Sequence, residues 1–378
     1  MLQVLIELLF FRWLTIHRWN NFPRIENISI LDNAGFIIHI ALFLAHIEEN
    51  NGHKINKEFL IKRVLFSVFS KLALSDINSW TLKYINKVDS TIFENLQNKV
   101  FENIFTLNWP DFIKNDMKDV LNDTSHKLEL KIIDAARNYS GLQECIINSK
   151  VFPDVYDIPT KEIQLELTLL KQDLDSLEIL MDSDKYKTYL SQIRRLSHSQ
   201  RWPWEQRKYN ITVMAHLFVV TFFAYIIWGF EINDWKDYDM LDFLLKWIYH
   251  DIPEVITWDV ITPTKNAIPW FKQALENVEE KMMDDFFFVY VDKEYEKTVK
   301  HYMLDPFTSE QWKYVKHWDI FSMIYESKIE VIPENDKFKE IYESMLEMWK
   351  KFNSSSSQYL IKNCIDNFWK SNFNDLLK

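Results

Sequence analysis

Met240-Leu241-Asp242-Phe243-Leu244-Leu245-Lys246-Trp247-Ile248-Tyr249-His250-Asp251-Ile252-Pro253-Glu254-Val255-Ile256-Thr257-Trp258-Asp259 is a stretch whose apolar residues recur at helical spacing and then stop at an imidazole and a carboxylate side by side. Pro253 opens a new segment, and Glu254 and Asp259 add two more acids. A His-Asp pair alone is commonly a solvated helix end. Here the setting differs. His216 lies within the very apolar stretch Ile211–Phe230, and Asp319 follows Val315-Lys316-His317-Trp318 at the start of another helical pattern. Taken alone, His216 would read as a buried core histidine. Two imidazoles and two carboxylates from three helices suit one divalent ion and leave positions for water and a substrate oxygen.

Working outward, only 4 Gly and 10 Pro occur in 378 residues, among long Leu/Ile/Phe/Lys/Glu-rich segments. Few tight turns or sheet bends can be built from that, so the expected fold is all-α. Asp285–Val291 is the best local candidate for a strand. The length and 47% hydrophobic content suffice for two globular domains. A net charge of −11 argues against coating an extended nucleic acid, whose phosphates demand basic patches; a small nucleotide needs only a local positive pocket. Cys145 and Cys364 suit reduced thiols in a cytoplasmic protein.

Two stretches resemble membrane segments. Met1–Leu14 is too short to span and contains Glu7 and Arg12, so it reads as a buried first helix. Ile211–Phe230 is long enough, but it contains His216 and is bracketed by Arg207-Lys208 and Asp234. A core helix of a soluble bundle is the better reading, with no membrane partner.

The order His216, His250-Asp251, Asp319 resembles the H…HD…D signature of the HD-domain phosphohydrolases. With Arg201-Trp202-Pro203 upstream, Glu254, and Thr262-Pro263-Thr264-Lys265 downstream, the chain is similar to the YfbR-like 5′-deoxynucleotidases from about Tyr189 to Ser327. Trp258 stands where that branch has Gly, and Ile261 where it has Pro. The resemblance implies a small-molecule nucleotide substrate and one divalent ion (Mn, Co, Fe, Ni, Zn or Mg) held by His216, His250, Asp251 and Asp319. It implies Glu254 as the group that orients or deprotonates the attacking water. Asp259 protonates the leaving oxygen or holds a water, unless it is a capping carboxylate. Arg201 and Lys265 are candidates for phosphate, Trp202 for a sugar or base face, and Thr262 for a pocket hydroxyl. The expected reaction is removal of the 5′-phosphate from a (deoxy)nucleoside monophosphate; triphosphohydrolase or cyclic-nucleotide phosphodiesterase activity, or a non-catalytic sensor or scaffold, are the alternatives.

The N-terminal half repeats part of this frame. Arg18-Trp19 matches Arg201-Trp202, and Asn33 stands to Phe36–Leu44 as His216 stands to Leu217–Ile227. Phe59–Ser70 then corresponds to Met240–His250, putting Ser70-Lys71 at the His-Asp pair, and Asp134 falls at Asp319. The expected organisation is two tandem HD-type helical bundles, residues 1–184 without the metal ligands and residues 185–378 with them. Glu162–Leu180 reads as a helix between the copies, the second copy starts near Lys185, and Tyr359–Phe373 reads as a last amphipathic helix. The first copy then serves as the structural half of an intramolecular pseudo-dimer, the favoured reading, or as a nucleotide sensor whose pocket binds without cleaving. Further pairing with a second chain is left open.

Overall fold

The computed structural model describes residues 16–73, 79–89, 91–92, 95–96, 98–99, 101–102, 110–231, 239–258, 268–306, 312–331, 336–351 and 354–362. Among them every regular element is helical, and β-pairing is limited to two isolated bridges, His17 with Ser29 and Gln200 with Thr212. The all-α class expected from the scarcity of Gly and Pro is the one observed.

The first half contains α1 (Ile30–Asn50), α2 (Lys57–Ala73), α3 (Ser79–Val88), α4 (Asp111–Asn122), α5 (Lys127–Ser149), α6 (Pro153–Leu170) and α7 (Asp175–Asp182). The second contains α8 (Asp184–Arg194), a 3-10 turn Arg195–Ser197, α9 (Val213–Glu231), α10 (Met240–Tyr249), α11 (Glu254–Thr257), α12 (Phe271–Phe286), a 3-10 turn Phe288–Tyr290, α13 (Lys293–Leu304), α14 (Trp312–Val331), α15 (Asp336–Trp349) and α16 (Ser355–Leu360).

Side-chain caps set several of these starts. Ser29 and Asp32 form a capping box on α1, while Ser183, Asp239 and Asp292 accept first-turn N–H groups of α8, α10 and α13. The Ser183 cap puts the second half's first helix at Asp184, beside the expected Lys185. The segment Glu162–Leu180 is not one helix. It breaks after Leu170, and Leu174 takes an extended conformation that turns its side chain into the core with Leu177 and Leu180. Nor is Asp285–Val291 a strand. Met283, Phe287, Phe288 and Val291 are the buried residues there, a helical spacing, and the chain stays helical to Phe286 before its 3-10 turn. Met1–Leu14 and most of Tyr359–Phe373 lie outside the described residues.

α1 and α9 form the axis. Both are long and apolar enough to cross a membrane, yet their apolar windows are 100% and 89% buried, against each other and against α2, α5 and α7 on one side and α10, α14 and α16 on the other. Gly35 makes their close approach possible: a Cβ there would stand 2.9 Å from Met214 Sδ and 3.0 Å from the Met214 carbonyl oxygen. Phe36, Ile40 and Phe43 share one continuous apolar core with Phe218, Phe222 and Ile226, so no boundary of solvent separates the halves. Cys145 is a buried free thiol that burial pushes up to about 11; Cys364 is outside the described residues.

A polar latch also crosses the junction. Glu26 receives Arg194 through both oxygens at 2.9 and 2.6 Å and lies 3.0 Å from His198. Burial disfavours its charge, but His198 and Arg194 hold its carboxyl down at about 2. A group depressed in this way stabilises the fold above its ordinary pKa of 4.5, and the contribution is lost as pH falls from there towards 2. Urea melts of the wild type and Glu26→Gln are therefore expected to differ by about 2 kcal/mol near pH ~6 and to converge only below pH ~2. A difference that stays constant across that window would contradict the latch.

Candidate metal centre

His216 sits in the first turn of α9, where Thr212 Oγ1 accepts from Ala215 N at 3.1 Å and Thr212 O from His216 N at 3.0 Å. The preceding loop is held against this turn by Arg201 N to Ile211 O (2.9 Å) and Val213 N to Ser199 O (2.8 Å). That pairing sets Arg201 and Trp202 beside the histidine. His250 is the C-cap of α10, its N–H bonded to Lys246 O at 3.0 Å, and Asp251 begins the turn into α11, accepting Glu254 N at 3.2 Å. Asp319 comes from α14. Thus three helix segments converge, as the three-helix ligand set requires.

The geometry is compact. Ligand atoms of His216, His250 and Asp251 all lie within 4.8 Å of one another. His216 Nε2 is 3.7 Å from Asp251 Oδ2 and 3.7 Å from Asp319 Oδ1, and His250 Nε2 is 3.3 Å from Asp251 Oδ1. Ligand atoms around one divalent ion stand roughly 3.0–3.5 Å apart when each bond is about 2.1 Å, so small side-chain shifts suffice.

The tautomers favour the same reading. His250 Nδ1 faces the Trp247 carbonyl oxygen at 3.0 Å, an acceptor only, so Nδ1 carries the proton and Nε2 the lone pair. Both His216 Nε2 and His250 Nε2 are buried with no hydrogen-bond partner. Two orphaned, lone-pair-bearing nitrogens aimed at two carboxylates fit a metal, and the donor set of two nitrogens and two oxygens suits a divalent ion. Burial, then Arg201, lowers the His216 pKa, the direction that suits a ligand nitrogen.

Arg201 fills the remaining side. Its guanidinium reaches Asp251 (3.5 Å), Asp319 (3.8 Å) and Glu326 (3.3 Å). Burial works against its charge, but Glu326, Asp319, Asp251 and Glu254 raise its pKa above the usual arginine value. Glu254 is half-buried at the start of α11, close enough to act on Arg201. Trp202 is strained, with φ 58°, and its indole N–H donates to Glu326 Oε2 at 3.1 Å while its ring packs near Trp204 and Phe338. Asp259, Thr262 and Lys265 lie outside the described residues.

The residues passed over in the sequence are Glu326, Glu330 and Arg207, all almost fully buried. Glu326 Oε1 is 3.3 Å from His216 Nδ1, and Ser322 Oγ is 3.4 Å from the same nitrogen. Burial opposes ionisation of Glu326, yet Arg201, His216 and Arg207 hold it down at about 2. A signal existed: Asp319, Ser322 and Glu326 recur on one face of α14.

The family model described as 5′-deoxynucleotidase YfbR-like matches residues 188–368. A crystal structure of a HD-domain phosphohydrolase from Listeria innocua is similar at 21% identity, covering 50% of this chain and 90% of that chain with a TM-score of 0.44. No curated protein matches the chain. The segment that carries His216, His250, Asp251 and Asp319 is thus the one that matches the YfbR-like 5′-deoxynucleotidase family.

Proposed function

We propose that the chain is a metal-dependent 5′-nucleotidase that removes phosphate from (deoxy)nucleoside 5′-monophosphates. The observation that carries this reading is the pair of orphaned Nε2 atoms, on His216 and His250, facing Asp251 and Asp319 beside Arg201. A divalent ion held by these four residues would lower the pKa of a water and neutralise charge on the phosphoryl oxygens. Arg201 offers N–H donors to the phosphate from the opposite side. Glu254, one turn past Asp251, takes the proton of the attacking water as its oxygen adds to phosphorus. The P–O5′ bond breaks, and Asp259 supplies the proton that the leaving alkoxide needs. Lys265 is the candidate for a phosphate contact, Thr262 for a pocket hydroxyl and Trp202 for the face of a sugar or base.

We also read the chain as two tandem units, 1–184 and 185–378, the first without metal chemistry. Three parallels support this. The bridge of His17 with Ser29 matches that of Gln200 with Thr212. Trp19, with φ 57°, bonds Glu144 as Trp202 bonds Glu326. Ser140 Oγ donates to Asn33 Oδ1 at 2.8 Å where Ser322 faces His216. The same register changes one correspondence: counting back from Glu144 as Asp319 is counted back from Glu326 reaches Arg137, not Asp134. Asp134 is exposed and pairs with Arg137 at 3.2 Å. Asn33 already holds Ser140, and Arg18 already holds Glu144 at 2.9 Å, so this half is a structural partner of the active one. The negative net charge and the two buried apolar helices fit a cytoplasmic protein that binds a small nucleotide and neither nucleic acid nor membrane.

Phosphate release from a panel of nucleoside mono-, di-, tri- and cyclic phosphates, with Mn or Co added, tests the reading. Turnover confined to monophosphates supports it. Preference for triphosphates or cyclic nucleotides would replace the substrate class, and no turnover by folded, metal-loaded protein would replace the enzyme by a nucleotide sensor.

A further inference from the structure

We infer that Glu326 is a positioning residue of the metal centre, fixing which nitrogen of His216 faces the metal side and anchoring the guanidinium of Arg201. The inference rests on the metal-centre reading above and names a residue that the ligand motif does not contain. At His216 Nδ1 the neighbours are Glu326 Oε1 at 3.3 Å and Ser322 Oγ at 3.4 Å. The Ser322 hydroxyl donates to the Asp319 carbonyl oxygen at 2.9 Å, so towards His216 it can only accept. A carboxylate and a committed hydroxyl leave Nδ1 one role, that of donor, and the lone pair of His216 must then sit on Nε2. Outer carboxylates that take the second N–H of a ligating histidine orient the ring and raise its basicity. Glu326 Oε1, a buried oxygen with no hydrogen bond as the side chains stand, faces that nitrogen at ion-pair distance, and the other oxygen is tied down by the Trp202 indole at 3.1 Å.

The first half supplies a built-in comparison. There Glu144 is equally buried and holds the equivalent Arg-Trp pair, but Asn33 replaces the imidazole and turns to Ser140. Without a ring to orient, Glu144 gives both oxygens to Arg18 Nε at 2.9 Å. Glu326 keeps Arg201 Nε at the longer distance of 3.3 Å and shares that same oxygen with His216. The common part of the two arrangements is an anchor for a strained Arg-Trp corner; the part found only in the second half is the contact to the histidine.

The test compares Glu326→Gln with Glu144→Gln in the full chain, titrating each with Co2+ and following the visible d–d bands, alongside thermal melts. Both variants are expected to lower the melting temperature. Only Glu326→Gln should weaken Co2+ binding, by about 10- to 100-fold, and change the band shape, because an amide can present its NH2 group to Nδ1 and release the tautomer. If Glu326→Gln binds Co2+ as the wild type does, or if both variants weaken it alike, Glu326 is an anchor only and the inference is wrong. Wild-type protein that binds no Co2+ would instead overturn the metal centre itself. Should Glu326→Gln not fold, 15N spectra of histidine-labelled wild type decide, with His216 assigned from His216→Asn. A neutral ring protonated on Nδ1 is expected, and protonation on Nε2 overturns the assignment.

Discussion

Replacing His250 and Asp251 together by Ala is expected to abolish phosphate release from nucleoside monophosphates, a loss of about 10³-fold or more. The double variant removes one of the two orphaned nitrogens and the carboxylate that approaches both histidines, at 3.7 Å from His216 Nε2 and 3.3 Å from His250 Nε2. What remains, His216 and Asp319, is one nitrogen and one oxygen, too few to hold a divalent ion against water. The fold should survive, because the pair stands where α10 ends and Asp251 is partly exposed. Equal melting curves with activity lost would locate the chemistry; a double variant as active as the wild type would move it elsewhere.

The second large effect is on stability. Glu330→Ala is expected to cost about 3–5 kcal/mol, enough to lower the melting temperature on the order of 10 °C. Glu330 is fully buried and accepts two successive backbone N–H groups, Lys208 N at 2.8 Å and Tyr209 N at 2.9 Å, while Arg207 Nε lies 3.6 Å away. Removing the carboxylate strands both amides and leaves the buried Arg207 with Glu326 and the face of Phe338. Scanning calorimetry would read the change directly. A shift within ~2 °C would mean that water or rearrangement replaces these contacts readily.

Three members of the proposed ligand set stand out in the sequence because they interrupt a local pattern. His216 is a polar residue inside an apolar helix, and His250-Asp251 closes a periodic segment. Glu326 and Glu330 interrupt nothing: a glutamate every turn or two along α14 looks like a solvated face, and only the long-range return of Arg201, Trp202 and Arg207 makes it an interior one. The helical class followed from the lack of turn formers. The break after Leu170 did not, because leucines continue at helical spacing across it, and what ends the helix is Leu174 turning into a core built by distant residues. Likewise the Asp134 correspondence, which the tandem reading proposed above moves to Arg137, was drawn without the Ser140 and Glu144 contacts, which act through space and not along the chain.

The axial packing of α1 against α9 also has a consequence for how the chain is made. Emerging from a ribosome alone, α9, with a mean hydropathy of 2.0 over its apolar window, has the length and composition of a segment destined for a lipid bilayer. The N-terminal half leaves the ribosome first, so α1, with Gly35 cleared for Met214, is already present when α9 is synthesised. The partner that buries α9 is thereby made before α9 itself, and a chain with these two helices in the opposite order would have to synthesise the helix bearing His216 before its partner existed.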